Sequence, residues 1–150
     1  MFAPSQLATT FEAALRDVRA KRPEARAAAL EVLSGAEGDQ REPAVASART
    51  LLDDEAPIVR VGALVALGRL RDEASIDAIL ARLEDQDATV REIALIAAVD
   101  LGGERAEGAV IAALGSSRPE MRFQAVAAIA GLAPERARGH LVPRLEDDDP

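Results

Sequence analysis

The chain of 150 residues carries 18 Lys and Arg against 26 Asp and Glu, a net charge of −8. That balance argues against nucleic-acid and anionic-membrane partners, whose affinity comes largely from Lys and Arg neutralising phosphates. Aromatics are 2%, with no Trp or Tyr for single-stranded bases to stack on, and the absence of Cys excludes disulfides and thiolate metal sites.

The elements follow in chain order as helix pairs. A first unit, approximately residues 5–36, holds Ala25-Arg26 with Ala29 and Leu30. The linker GAEGDQREP leads to a second unit, approximately 43–71, in which Pro57 opens a helix carrying Val59-Arg60, Ala63 and Leu70. Proline fits there because the first helical N–H has no partner to lose. The third unit, approximately 74–102, is the clearest. Its first helix is expected from about Ser75 to Leu83, with Ile76, Ile79, Leu80 and Leu83 at the i, i+3, i+4, i+7 positions of one face. The acidic turn EDQDA offers Asp87 as an N-cap. A second helix from about Val90 to Leu101 turns Ala94, Leu95, Ala97, Ala98 and Leu101 inward, and Gly102-Gly103 stop it. The fourth unit, approximately 105–133, repeats the plan with Pro119, Met121-Arg122, Ala125 and Leu132.

A fixed step links the units: Val59-Arg60, Val90-Arg91 and Met121-Arg122 recur every 31 residues, as do Leu52, Leu83, Leu114 and Leu145. The final LEDDDP falls in the same register, with Asp147 in the place of Asp54 and Asp85, and Pro150 in that of Pro57 and Pro119. It reads as the front half of a partial unit, 136–150. The array is therefore expected to end mid-repeat, and the natural chain to continue past Pro150. Otherwise Leu141, Val142 and Leu145 form an edge open to a partner or a second copy. One helix of a pair cannot bury its apolar face alone, so stacked pairs share a continuous core. The residues expected in it are Ala63, Leu64, Leu67, Leu70, Ile79, Leu83, Ala94, Leu95, Leu101, Leu114, Val126, Ile129 and Leu132.

The stretches DDEAPIVRVGALVALGRL and EDQDATVREIALIAAVDL resemble the HEAT repeat, in its short bacterial form often called phycobilisome-lyase-like. The shared pattern is an acidic turn, then V-R, then Ala three residues after the Arg. Tetratricopeptide and ankyrin arrays have similar periods, but the first wants Trp and Tyr and the second T-P-L-H. The resemblance implies an all-α, right-handed α-solenoid of about four helix pairs, a single domain over residues 1–150. It also implies a structural ladder, because Asp54 precedes Arg60 by six residues and Asp85 precedes Arg91 by six. In similar repeats the turn Asp and the helix Arg link successive units, which suits charge-assisted hydrogen bonds. Arg122 continues the ladder, but Ser116 stands where its acid belongs, so that rung is expected to be weaker or differently paired.

No catalytic constellation emerges. His140 has no nucleophile and orienting acid beside it, the acidic turns lack the D-x-D-x-D-G pattern of a calcium loop, and the glycines lack a phosphate-loop pattern. The expectation is no enzyme, no metal and no cofactor. Counted from the repeat Arg, positions +3, +4, +7 and +10 are apolar and face inward, leaving +1, +5 and +9 on the opposite face with +2 at its flank. In arrays similar to this one that face lines the concave surface. Here it presents Val61, Val65, Arg69, Glu92, Ile93, Ile96, Asp100, Phe123 and Gln124. An apolar stripe rimmed by charge marks a partner site. The expected function is a non-catalytic scaffold holding a protein or peptide, a basic one by charge, with Phe123 and Ile96 as first anchors. Bilin lyases share the repeat type, which makes chromophore handling the alternative; HEAT-like DNA-repair glycosylases are disfavoured by the acidic charge. No apolar run approaches the roughly 18 residues of a membrane helix, and MFAPSQLATTFEAAL lacks the pattern of a signal peptide, so the expected setting is the cytoplasm.

Overall fold

The computed structural model describes residues 4–130 as eight helices: α1 (Pro4–Asp17), α2 (Pro23–Leu33), α3 (Arg41–Leu51), α4 (Pro57–Arg69), α5 (Ile76–Ala81), α6 (Ala88–Leu101), α7 (Gly103–Leu114) and α8 (Pro119–Ala130). Single 3-10 turns precede α3 and flank α5 on both sides. No strand occurs among the described residues. Consecutive helices pair and the pairs stack, so the chain is an all-α solenoid. The expectations for Leu132, His140, Leu141, Val142, Leu145 and the partial unit lie outside the described residues.

Local chemistry sets the helix boundaries. Pro23 and Pro57 stand at the first helical positions of α2 and α4, and Pro119 opens α8. Asp87 caps α6, its carboxylate accepting from the Val90 N–H at 3.1 Å. Between α6 and α7 the chain passes through two consecutive positive φ angles, 75° at Gly102 and 84° at Gly103. A Cβ is strained in that region, so the glycine pair is what lets two helices follow each other with no linker.

The two helices of a pair are buried differently. A first helix presents one stripe to its partner: Phe11 and Ala14 in α1, continued by Val18 just past its end, and Ala44, Val45, Ala48 and Leu51 in α3. A second helix lies between two other second helices as well as on its own partner. α4 and α6 are accordingly apolar around most of their circumference, burying Val59, Ala63, Leu64, Ala66 and Leu67, and Val90, Ala94, Leu95, Ala97, Ala98 and Leu101. Small residues let this row close up. A Cβ built at Gly62 would stand 3.2 Å from Leu30 Cδ1 on α2, and one at Gly68 would stand 3.6 Å from the Ala97 Cα on α6. α1 against α3 and α5 against α7 touch only sparingly.

The core runs unbroken from Phe11 to Ile129, the half-buried Leu83 packing on both its parts. Two expectations need correction. Leu83 is half-buried, because the helix carrying it breaks into a 3-10 turn at Arg82–Glu84. Val126, expected inside, is 49% exposed. It occupies the position of Leu64 and Leu95, and Leu95 is covered by the α7–α8 pair; among the described residues no pair follows α8 to cover Val126.

Candidate functional site

Arginines one repeat apart reach forward to the next acidic turn. Arg26 donates from Nε and Nη2 to Asp54 Oδ2 and Oδ1 at 2.8 and 2.7 Å. Arg60 does the same to Asp85 at 2.9 and 2.7 Å. The forked geometry suits a planar guanidinium facing a carboxylate. The residues six apart also meet, but through the main chain: Arg60 Nη1 donates to the Asp54 carbonyl at 2.9 Å, and Arg91 Nη1 to the Asp85 carbonyl at 2.9 Å. Each arginine thus ties its own turn to the next repeat's acid. Each acid also closes its turn, since Asp54 accepts from the Ala56 N–H and Asp85 from the Asp87 N–H.

The fourth unit divides those two tasks. The Ser116 hydroxyl accepts from the Arg118 N–H at 3.2 Å and so keeps the turn. The rung passes to Glu120, which takes Arg91 Nη2 at 2.6 Å. Only one nitrogen engages, and Arg91 Nε is buried without a hydrogen-bond partner. The rung is differently paired and less complete. Arg122, at the end of the series, is exposed and donates to the Ser116 carbonyl at 2.9 Å.

These contacts shift the acids in one direction. Burial raises the Asp54 and Asp85 carboxyls, but hydrogen bonds from Arg26 and Arg60, turn N–H groups and nearby cationic charge outweigh it and hold both below the ordinary range. The Arg91 hydrogen bond does the same to Glu120. A group depressed in the folded state is protonated first in the unfolded chain. Its contribution is therefore complete above the ordinary carboxylate pKa of about 4 and fades as pH falls through the lower folded value. Thermal melts from neutral pH down to about 3 are expected to show a progressive loss of Tm below about 4, with a shallower loss in Asp85→Asn. Parallel pH profiles for the two proteins would contradict this.

A second polar cluster escaped the sequence reading. Asp72 and Ser75, both buried in the α4–α5 turn, bond to each other, and Arg49 of α3 donates to Asp72 at 2.9 and 2.8 Å and to Ser75 Oγ at 3.0 Å. Arg41 holds the Leu70 carbonyl beside it at 2.8 Å. The turn bends through Arg71 at φ 53°, so this clasp stabilises a backbone conformation unusual for a side-chain-bearing residue. Its only sequence signal was a polar pair at the end of a strongly periodic helix.

The acidic turns are occupied by the chain's own cations: Arg82 meets Asp53 at 2.7 Å and Arg118 meets Glu84 at 3.0 Å. No group of three or more His, Cys, Asp or Glu among the described residues is placed to hold a metal ion. No helix among them is long and apolar enough to cross a membrane.

On the second-helix face the predicted residues separate into two sets. Val61 and Ile93 are half-buried and pack on the core, and Val65 is half-buried as well. Ile96 is 42% exposed and Phe123 is 72% exposed. Arg69 pairs with Glu31 of α2 at 2.8 Å, and Gln124 reaches Glu92 at 3.5 Å, bridging α8 to α6. Asp100 is exposed at the end of α6. Ile58, 53% exposed at the start of α4, was missed. Its signal was present: two residues before the repeat Arg the other units carry Glu24, Thr89 and Glu120. With Val61 and Val65 at i+3 and i+7 it extends the apolar stripe along α4.

Comparison with curated proteins finds no match. The family model of HEAT repeats matches residues 10–99 and again residues 76–150. Matched over nearly its whole length, and folded as stacked helix pairs, the chain belongs to the HEAT-repeat family.

Proposed function

We propose that the chain is a non-catalytic scaffold that holds a protein or peptide on the second-helix face. HEAT repeats generally mediate protein–protein interaction. The observation that carries the reading here is Phe123, the most exposed large apolar side chain among the described residues, on a face that also bares Ile96 and Ile58. Water is a poor neighbour for such a set, and aromatic anchors contribute heavily to interfaces. The net charge of −8 favours a basic partner. The pattern of acidic turn, V-R and Ala three residues after the Arg supports the short bacterial type of the repeat, and the proposed setting is the cytoplasm.

The test is capture from a native lysate with the wild type, Phe123→Asp and Ile96→Asp. Exposed substitutions leave stability within about 0.5 kcal/mol, so both variants should melt like the wild type while losing the captured protein. Undiminished capture by both folded variants would refute the assignment of this face.

A further inference from the structure

We infer that the site accepts a helical segment with a cation, an apolar side chain and a second cation in line, seated on Glu92, Ile96 and Asp100 of α6 with Phe123 beside them. The inference rests on the binding role proposed above and specifies its partner.

The charges of this face are the starting point. Three carboxylates stand on it: Glu31 on α2, and Glu92 and Asp100 on α6. Glu31 is neutralised by Arg69, which also reaches Ser34 Oγ at 3.1 Å. Among the described residues Glu92 meets the neutral amide of Gln124 and no cation. Among the described residues no cation stands within ion-pair distance of the Asp100 carboxylate, and the nearby Arg71 donates to its main-chain carbonyl instead. The repeat and turn arginines are committed elsewhere: Arg60 and Arg91 to the ladder, Arg82 and Arg118 to the turns. Of the three carboxylates on this face, the two without an ion pair among the described residues fall one on each side of the exposed Ile96.

Their spacing sets the register. Glu92, Ile96 and Asp100 follow at four-residue steps and share one side of α6, the outer two about 12 Å apart at 1.5 Å rise per residue. A partner helix lying along α6 has the same rise. It meets all three with cations at i and i+8 and an apolar side chain at i+4. Phe123 stands exposed on the adjacent helix α8, next in sequence to Gln124, whose amide reaches Glu92 at 3.5 Å. It offers a further exposed apolar side chain on the neighbouring helix, of the kind on which the aliphatic stem of a Lys or Arg packs.

The probe is a fluorescein-labelled Ala/Gln helix of about 18 residues, long enough to hold helical structure, with Lys at i and i+8 and Leu at i+4. Anisotropy titrations against the full chain are expected to show binding that weakens with added salt, and no binding of the same peptide with Glu in place of Lys. Glu92→Gln with Asp100→Asn should weaken the Lys peptide by about tenfold and flatten its salt dependence. Glu92→Lys with Asp100→Lys should reverse the preference toward the Glu peptide. Circular dichroism and melting verify that each variant folds. If the neutralised variant binds the Lys peptide as tightly as the wild type while Phe123→Asp abolishes binding, the charge register is wrong and the face stands. If Phe123→Asp and Ile96→Asp leave the affinity unchanged, the face itself is wrong. Absence of measurable binding to the wild type overturns the inference.

Discussion

Leu95→Ala is expected to lower stability by about 2–5 kcal/mol, the range for emptying a buried leucine site that cannot collapse. Leu95 is fully buried where α6 receives the α7–α8 pair, against Val110, Leu114, Met121 and Ile129. Its neighbours Ala94 and Ala98 pack on the preceding pairs, so the side chain sits at the seam between the two parts of the core. At roughly 2–4 °C per kcal/mol for a chain of this size, a Tm decrease of about 10 °C follows. Because repeats touch mainly their neighbours, amide exchange in the variant should accelerate most in α7 and α8 and least in α1 and α2. Leu95→Met, which keeps the volume, should cost less than about 1.5 kcal/mol. Unchanged melting of Leu95→Ala would mean that the register of α6 is wrong.

Arg60→Ala is the second large effect. Arg60 and Asp85 are 12% and 6% exposed at their side chains. Removing the arginine leaves an ionised carboxylate with little water and orphans the Asp54 and Glu55 carbonyls that Arg60 also bonds. Breaking a buried pair in this way costs about 3–5 kcal/mol, and the remaining solvent access places this case at the lower end. The pair's own share is smaller, since Asp85 also serves its turn. A double-mutant cycle with Asp85→Asn separates the two. That substitution removes the charge and leaves the side-chain oxygen that accepts from the Asp87 N–H. Urea melts should give a coupling energy of about 0.5–3 kcal/mol. Additivity to within the roughly 0.3–0.5 kcal/mol seen for independent sites would show that the rung is geometry without energy.

Much of the architecture was legible because it depends on local chemistry repeated at a fixed step. Pro57, Pro119, Asp87 and Gly102-Gly103 mark helix boundaries by backbone requirements that neighbouring residues cannot alter. The inward faces of α4 and α6 followed from apolar spacing. Features set by the neighbouring repeat were harder to read. The six-residue spacing of Asp54 and Arg60 signals a contact, but the carboxylate of each pair belongs to the previous repeat's arginine. Glu120, in the first turn of α8, takes the rung from Ser116 in the turn before it, a substitution that only stacking reveals. Val126 matches Leu64 and Leu95 in sequence position and differs in what lies over it. On the candidate face, position alone placed Val61, Ile93, Ile96 and Phe123 together. Exposure separates the first two, which pack on the core, from the last two, which face water.

The central claim is that the second helices form the working face. Hydrogen–deuterium exchange of the full chain, free and bound to a captured protein, tests it most directly. New protection is expected in α6 and α8, around Glu92–Asp100 and Phe123, with the first helices α3, α5 and α7 unchanged. Protection confined to the first helices, with α6 and α8 exchanging as in the free protein, would contradict it.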